Sequence, residues 1–281
     1  MEYVYKVATI PTGQMWRLSS YQPAESCYRV RARACAPAHA FISLMTDIMR
    51  IGILQTGRPP EALCAHAMDY PDLFRAALAR PDATFTTYRV MDGQLPSAVR
   101  AEDGWLITGS PFGVYEDHPW IPGLEAFVRE ADRLRVPMVG ICFGHQLIAQ
   151  ALGGKVEKFP GGWIVGPQDY TLDDGSTVTL NAWHQDQVME PPPQARTIMR
   201  SPACAHAALR YGEHILTVQP HPEFTDAVFH ALFHERGQTL PPAIQQAVEQ
   251  KTGGSAPAFQ ARFAQFLWHC LSRGRVGEAA G

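Results

Sequence analysis

The chain has 281 residues, 46% of them apolar and 18% charged, with a formal net charge of -3. That length is enough for one large domain or two small ones with a sizeable core, and the composition is that of a soluble globular protein. The absence of any Lys/Arg block or basic stripe argues against nucleic acid as a partner. AFISLMTDIMRIGIL, the nearest approach to a membrane span, is interrupted by Asp47 and Arg50, so no membrane association is expected.

The first residues, MEYVYKVATIPTG, lack the basic start and apolar block of a secretory signal. The six cysteines are scattered, with no CxxC pair. Together these features predict a cytoplasmic protein with reduced thiols, no disulfide framework and no metal site. Residues 1–48 show no helical or strand period; RVRARACAPAHA mixes Arg, Cys, Ala, Pro and His. Two readings stand: an extension of doubtful order, or an over-extended reading frame with natural translation starting at Met49 or Met45. The folded domain is expected over residues 49–281.

From Met49 the pattern alternates. MRIGILQTG is a short apolar strand with a glycine turn, and DYPDLFRAALARP carries Leu73, Phe74, Ala77 and Leu78 on one helical face. TFTTYRV is β-branched and aromatic, which marks a strand, and DGWLITGSP contains another. Residues 120–135 place Leu124, Phe127, Val128 and Ala131 at i, i+3, i+4 and i+7 of a helix. The strand PMVGI follows, and a helix begins after Cys142. Alternating strands and helices imply a mostly parallel central sheet with helices on both faces. Between Gly154 and Pro220, the runs VTLNAWH, RTIMRS, AALRYG and HILTVQP predict a small antiparallel section, at a sheet edge or in a second sheet. Residues 241–250 and 257–271 are expected to be helical, the latter with Phe259, Phe263, Phe266, Leu267 and Cys270 on one face.

In Gly140-Ile141-Cys142-Phe143-Gly144, an apolar strand runs straight into an amphipathic stretch. This is the G-x-S-x-G nucleophile elbow with Cys142 in the serine position. The glycines let strand and helix approach closely. The helix N-terminus under Cys142 favours thiolate, the attacking form of a cysteine nucleophile. The N–H of Phe143 can point at a developing oxyanion. Such a nucleophile needs a histidine, and the histidine an orienting acid. Of the eleven histidines, His221 in VQPHPEF follows an apolar strand, with Glu223 two residues on and Pro222 holding the backbone extended. Cys142, His221 and Glu223 are therefore the candidate catalytic residues. His145 is expected to be structural, and His206, His214, His230 and His234 show no metal-ligand pattern.

GICFGHQ together with the downstream HPEF resembles the class I, or triad-type, glutamine amidotransferase family, over about Met49 to Phe233. The resemblance implies a flavodoxin-like α/β fold. It also implies hydrolysis of the γ-glutamyl amide of glutamine through a Cys142 thioester, with release of glutamate and ammonia; the chain itself shows no cofactor requirement. TGSP is similar to the family's oxyanion loop, which gives Gly109 the second donor role beside Phe143 and makes Ser110 its neighbour. By the same resemblance Gln146 contacts substrate. WHQDQV resembles a loop lining the glutamine pocket, where His184 and Asp186 would hold the α-amino or α-carboxylate group.

Among family members the chain looks closest to stand-alone GMP-synthase-like domains and to γ-glutamyl peptidases, which hydrolyse γ-glutamyl peptides such as glutathione conjugates. It carries no P-loop and no ATP-grasp-like Gly-rich stretch. Either a separate synthetase subunit receives the ammonia, or the domain acts alone on glutamine or another γ-glutamyl small molecule. Two further readings remain open here: a catalytically silent binding or regulatory module, and an α/β-hydrolase whose acid would be Asp173 or Asp174.

Overall fold

The computed structural model describes residues 48–64, 69–250, 261–266 and 268–269, all within the unit Thr46–Gly281. Nearly all of the proposed extension, and Phe259, Leu267 and Cys270 of the expected aromatic face, lie outside the described residues.

Five short apolar runs form the parallel half of the sheet. They are β1 (Met49–Gln55), β2 (Ala83–Arg89), β3 (Gly104–Ile107), β4 (Met138–Ile141) and β11 (Ile215–Val218). Their order, β2-β1-β3-β4-β11, is that of flavodoxin-like folds. Every residue of β3, β4 and β11 is buried, as expected of strands covered on both faces.

Side chains alternate between two cores. On one face Trp105, Ile107, Met138 and Ile215 meet α3 (Ile121–Arg133) and α4 (Phe143–Ala151), and Leu124, Phe127, Val128 and Ala131 are all buried there. The other face packs Ile51, Ile53, Leu106, Val139 and Val218 against Phe74 and Leu78, at and just beyond the end of α2 (Tyr70–Ala77). Helical residues 261–266 and 268–269 add Phe263 and Trp268 to that second core, so this part of the aromatic face is core.

The section after Gly154 is larger than its sequence suggests. β5 (Lys155–Lys158) and β8 (Asp186–Glu190) form a separate two-stranded antiparallel ribbon. β6 (Ile164–Leu172), β7 (Thr177–His184), β9 (Ala195–Ser201) and β10 (Cys204–Tyr211) continue the main sheet antiparallel beyond β11, making nine strands in all. Both expected arrangements, sheet edge and second sheet, therefore occur. The run HILTVQP departs from its expected place among the antiparallel strands: β11 is parallel to β4 and antiparallel only to β10. Its four residues are buried on both faces, which a run of that length does not reveal by periodicity. α5 (Asp226–Arg236) and α6 (Pro242–Glu249) follow, α5 capped by Thr225, whose hydroxyl accepts from the Val228 N–H. Among the described residues, no helix is long and apolar enough to cross a membrane.

Candidate active site

β3, β4 and β11 lie side by side and parallel, so their carboxyl ends meet at one edge of the sheet. Gly109 stands just beyond β3, Cys142 follows β4, and His221 comes three residues after β11. Open α/β sheets collect ligand sites at such an edge.

Cys142 has φ 51° and ψ -102°, a conformation that costs a non-glycine residue about 1–3 kcal/mol. The turn exists because strand and helix nearly touch: a Cβ on Gly140 would stand 2.5 Å from the Gly144 carbonyl oxygen. The strain places Cys142 at the N-terminus of α4, where first-turn N–H groups lack helical partners. The Phe143 ring turns away into the core beside Trp120, so only its backbone belongs to the site.

His221 is buried and held on three sides. Its Nδ1 is 2.7 Å from Glu223 Oε1, its ring stacks on Phe224 at 4.1 Å, and its N–H donates to the Asn181 carbonyl at 2.9 Å. A Cβ on Gly109 would be 3.1 Å from His221 Cε1 and 3.8 Å from Cys142 Cβ, so Gly109, the imidazole and the cysteine converge on one point. Burial disfavours the imidazolium, but the Glu223 carboxylate and the Cys142 sulfur outweigh it and raise His221 to about 10. With Nδ1 taken by Glu223, Nε2 remains for proton exchange. Asp173 and Asp174 lie just beyond β6; Asp173 pairs with Arg196, and Asp174 with Ser176 and Arg262. Neither serves His221, which removes the hydrolase-type arrangement.

The remaining predicted residues line one cleft of about 240 Å³ that also exposes Cys142 and His221: Ser110, Gln146, His184 and Asp186. Their partners modify the expected roles. Ser110 Oγ donates to the Thr56 carbonyl at 2.8 Å, which shapes its loop. Gln146 Nε2 already donates to the Asp186 carbonyl at 2.8 Å and to Gln219 Oε1 at 3.1 Å, leaving its Oε1 for a ligand. The Asp186 carboxylate accepts from the Tyr115 hydroxyl at 2.9 Å, and burial raises its pKa. WHQDQV is no open loop: β7 ends at His184, β8 begins at Asp186, and only Gln185 separates them.

Sequence reading missed Gln219. It is fully buried and donates to Cys142 Sγ at 3.6 Å while accepting from Gln146. No strand period points to it: residues 219–223 form bends and a turn in which the Phe224 N–H donates to the His221 carbonyl at 3.3 Å, so Glu223 reaches His221 through a turn and not through the extended backbone expected at Pro222.

His145 is fully buried with Nδ1 2.7 Å from Thr217 Oγ1, as a structural histidine should be. His214 pairs with Asp132 and His206 with Thr197. Among the described residues, no His/Cys/Asp/Glu group could hold a metal ion. Burial, followed by neighbouring histidines, depresses His145 and His184 to about 3 each. The unfolded chain binds these two protons near pH 6.5 and the folded chain does not. Stability present above pH 6.5 is therefore lost as pH falls towards 3. The raised His221 works the other way: its contribution is complete below pH 6.5 and lost as pH climbs through about 10, so it does not offset the acid limb. Urea unfolding should show stability falling between pH 6.5 and 5 by about 2 kcal/mol per buried histidine. A flat profile in that window would contradict the neutral burial of both rings.

The family model described as glutamine amidotransferase class-I matches residues 76–236, more than half of the chain. Gamma-glutamyl peptidase 2 of Arabidopsis thaliana is 28% identical over 199 residues, covering 66% of this chain and 80% of that protein. One subunit of the glutamine-hydrolyzing GMP synthase of Saccharolobus solfataricus is 34% identical over 131 residues, covering 42% of this chain and 65% of that protein. The crystal structure of a glutamine amido transferase from Methylobacillus flagellatus superposes with a TM-score of 0.66 at 25% identity, covering 81% of this chain and 95% of that one. The fold, the elbow and the extent of the family match agree, and the chain belongs to the class-I glutamine amidotransferase family.

Proposed function

We propose that the protein hydrolyses γ-glutamyl amides through a thioester on Cys142, glutamine being the smallest such substrate. The supporting observation is the buried His221, clamped by Glu223 at 2.7 Å with its other edge turned to the cysteine. His221 Nε2, held protonated by its raised pKa, keeps the proton taken from the thiol, and Cys142 Sγ attacks the amide carbonyl carbon as the thiolate. The N–H groups of Gly109 and Phe143 receive the developing oxyanion. His221 returns the proton to the leaving nitrogen, the C–N bond breaks, and the amine departs. Water then gives a proton to His221 and attacks the thioester, the C–S bond breaks, and glutamate leaves with Cys142 and His221 restored to their starting state. Glu223 keeps Nδ1 protonated and the ring in register throughout. No cofactor enters this sequence.

With glutamine, the ammonia would go to a separate synthetase subunit, in line with the name of the archaeal GMP synthase relative; with a γ-glutamyl peptide the chain would act alone. The thiol must stay reduced, and Cys142 and Cys204 are free, which fits a cytoplasmic enzyme.

Rapid acid quench during turnover of glutamine or a γ-glutamyl anilide should trap a γ-glutamyl adduct on the peptide carrying Cys142. The adduct should decay to glutamate at the rate of turnover. Glutamate release with the adduct on another residue, or with none, would defeat the reading.

A further inference from the structure

We infer that Tyr70 and Arg236 form a leaving-group subsite that reads a carboxylate, so that the preferred substrates are γ-glutamyl amino acids or peptides rather than glutamine. This inference rests on the thioester chemistry proposed above.

His221 must hand a proton to the departing nitrogen, so the leaving group lies on the imidazole side of Cys142. That side is a built surface. Phe224 lies against the His221 ring, and Tyr70 stacks on Phe224 at 6.4 Å with an interplanar angle of 29°. Leu232 packs with Tyr70 and Phe224, and Leu240 and Arg236 line the same cleft as Tyr70. Among the described residues, no carboxylate is in ion-pair range of Arg236, which is only partly exposed.

Ammonia has no use for such a wall. It has no apolar surface to bury, and a guanidinium repels the ammonium it becomes. An amine carrying a side chain and a carboxylate fits both parts: the side chain meets Tyr70, Phe224 and Leu232, and the carboxylate meets Arg236. The same cleft also carries Asp186, Glu116 and Lys158, which lie near one another, a mixed set suited to the zwitterionic head of the γ-glutamyl group. The alternative for Arg236 is purely structural, since a cation in the last turn of α5 also stabilises the helix.

The test compares γ-glutamyl-leucine with γ-glutamyl-leucinamide, which differ only in the terminal carboxylate. The wild-type protein should favour the acid by about tenfold or more in kcat/KM, the scale of a charge-assisted hydrogen bond. In Arg236→Met the ratio should collapse to near one, mostly through KM for the acid. Arg236→Lys should retain part of the preference. A wild-type ratio near one, or a ratio unchanged in Arg236→Met despite any loss of overall stability, would overturn the subsite. Formation of the Cys142 adduct without acid preference would refute only this inference; absence of the adduct with every substrate would refute the chemistry beneath it as well.

Discussion

Cys142→Ala should lower turnover of every γ-glutamyl substrate by about 10⁴-fold or more, because no other group at the site can form the acyl bond. The variant should still fold, since alanine is smaller and the strained backbone conformation at Cys142 persists. Glu223→Gln should cost less, about 10²- to 10⁴-fold, because an orienting group acts through the imidazole and not on the carbonyl. The 2.7 Å contact to Nδ1 can survive the change as a neutral hydrogen bond, but the carboxylate charge that raises His221 would be gone. The pH–rate profile of Glu223→Gln should therefore shift to lower pH along with the loss in rate. Steady-state kinetics on purified variants decides this. Substantial activity in Cys142→Ala removes the mechanism, and equal losses at the two positions remove the assigned division of roles.

Gly144→Ala should be strongly destabilising, at about 3 kcal/mol or more. The added methyl would run into the Ile107 carbonyl oxygen and lie 2.9 Å from the Ile107 Cβ. β3 cannot retreat, because it is hydrogen-bonded between β1 and β4. Gly93→Ala is the informative control. Gly93 has φ 80° with nothing within 4 Å of the added atom, so only backbone strain of about 1–2 kcal/mol is expected. Chemical denaturation of the two variants should separate them clearly. Near-equal losses would show that the strand–helix approach beneath Cys142 tolerates a methyl group.

The parallel half of the fold, β11 apart, was legible because its signals are local. MRIGILQ, the i, i+3, i+4, i+7 helix over Leu124–Ala131, and GICFGHQ each carry a period or a turn that short-range physics fixes. The antiparallel half was not, because whether β6, β7, β9 and β10 extend the main sheet or build another depends on long-range register, which no single strand encodes. The candidate triad could be picked out because Gly140, Gly144 and Pro222 restrict the backbone around reactive residues. The pocket was less legible. Gln146 and Asp186 look like free ligand-binding groups in sequence, yet their partners Gln219 and Tyr115 lie 73 and 71 residues away. Gln219 reads in sequence as an ordinary strand-end polar residue, and only the fold turns its amide to the sulfur.

Asn181 of β7 accepts from the His221 N–H and donates through its own side chain to the Phe224 carbonyl at 3.1 Å. The segment bearing the imidazole is thus stitched at two points to the outermost strand of the nine-stranded sheet. Sliding β7 by one residue would turn Asn181 to the opposite face and undo both stitches at once. The alignment of a peripheral strand therefore governs where His221 stands, and changes in the β6–β7 hairpin can displace the imidazole without altering Cys142, His221 or Glu223.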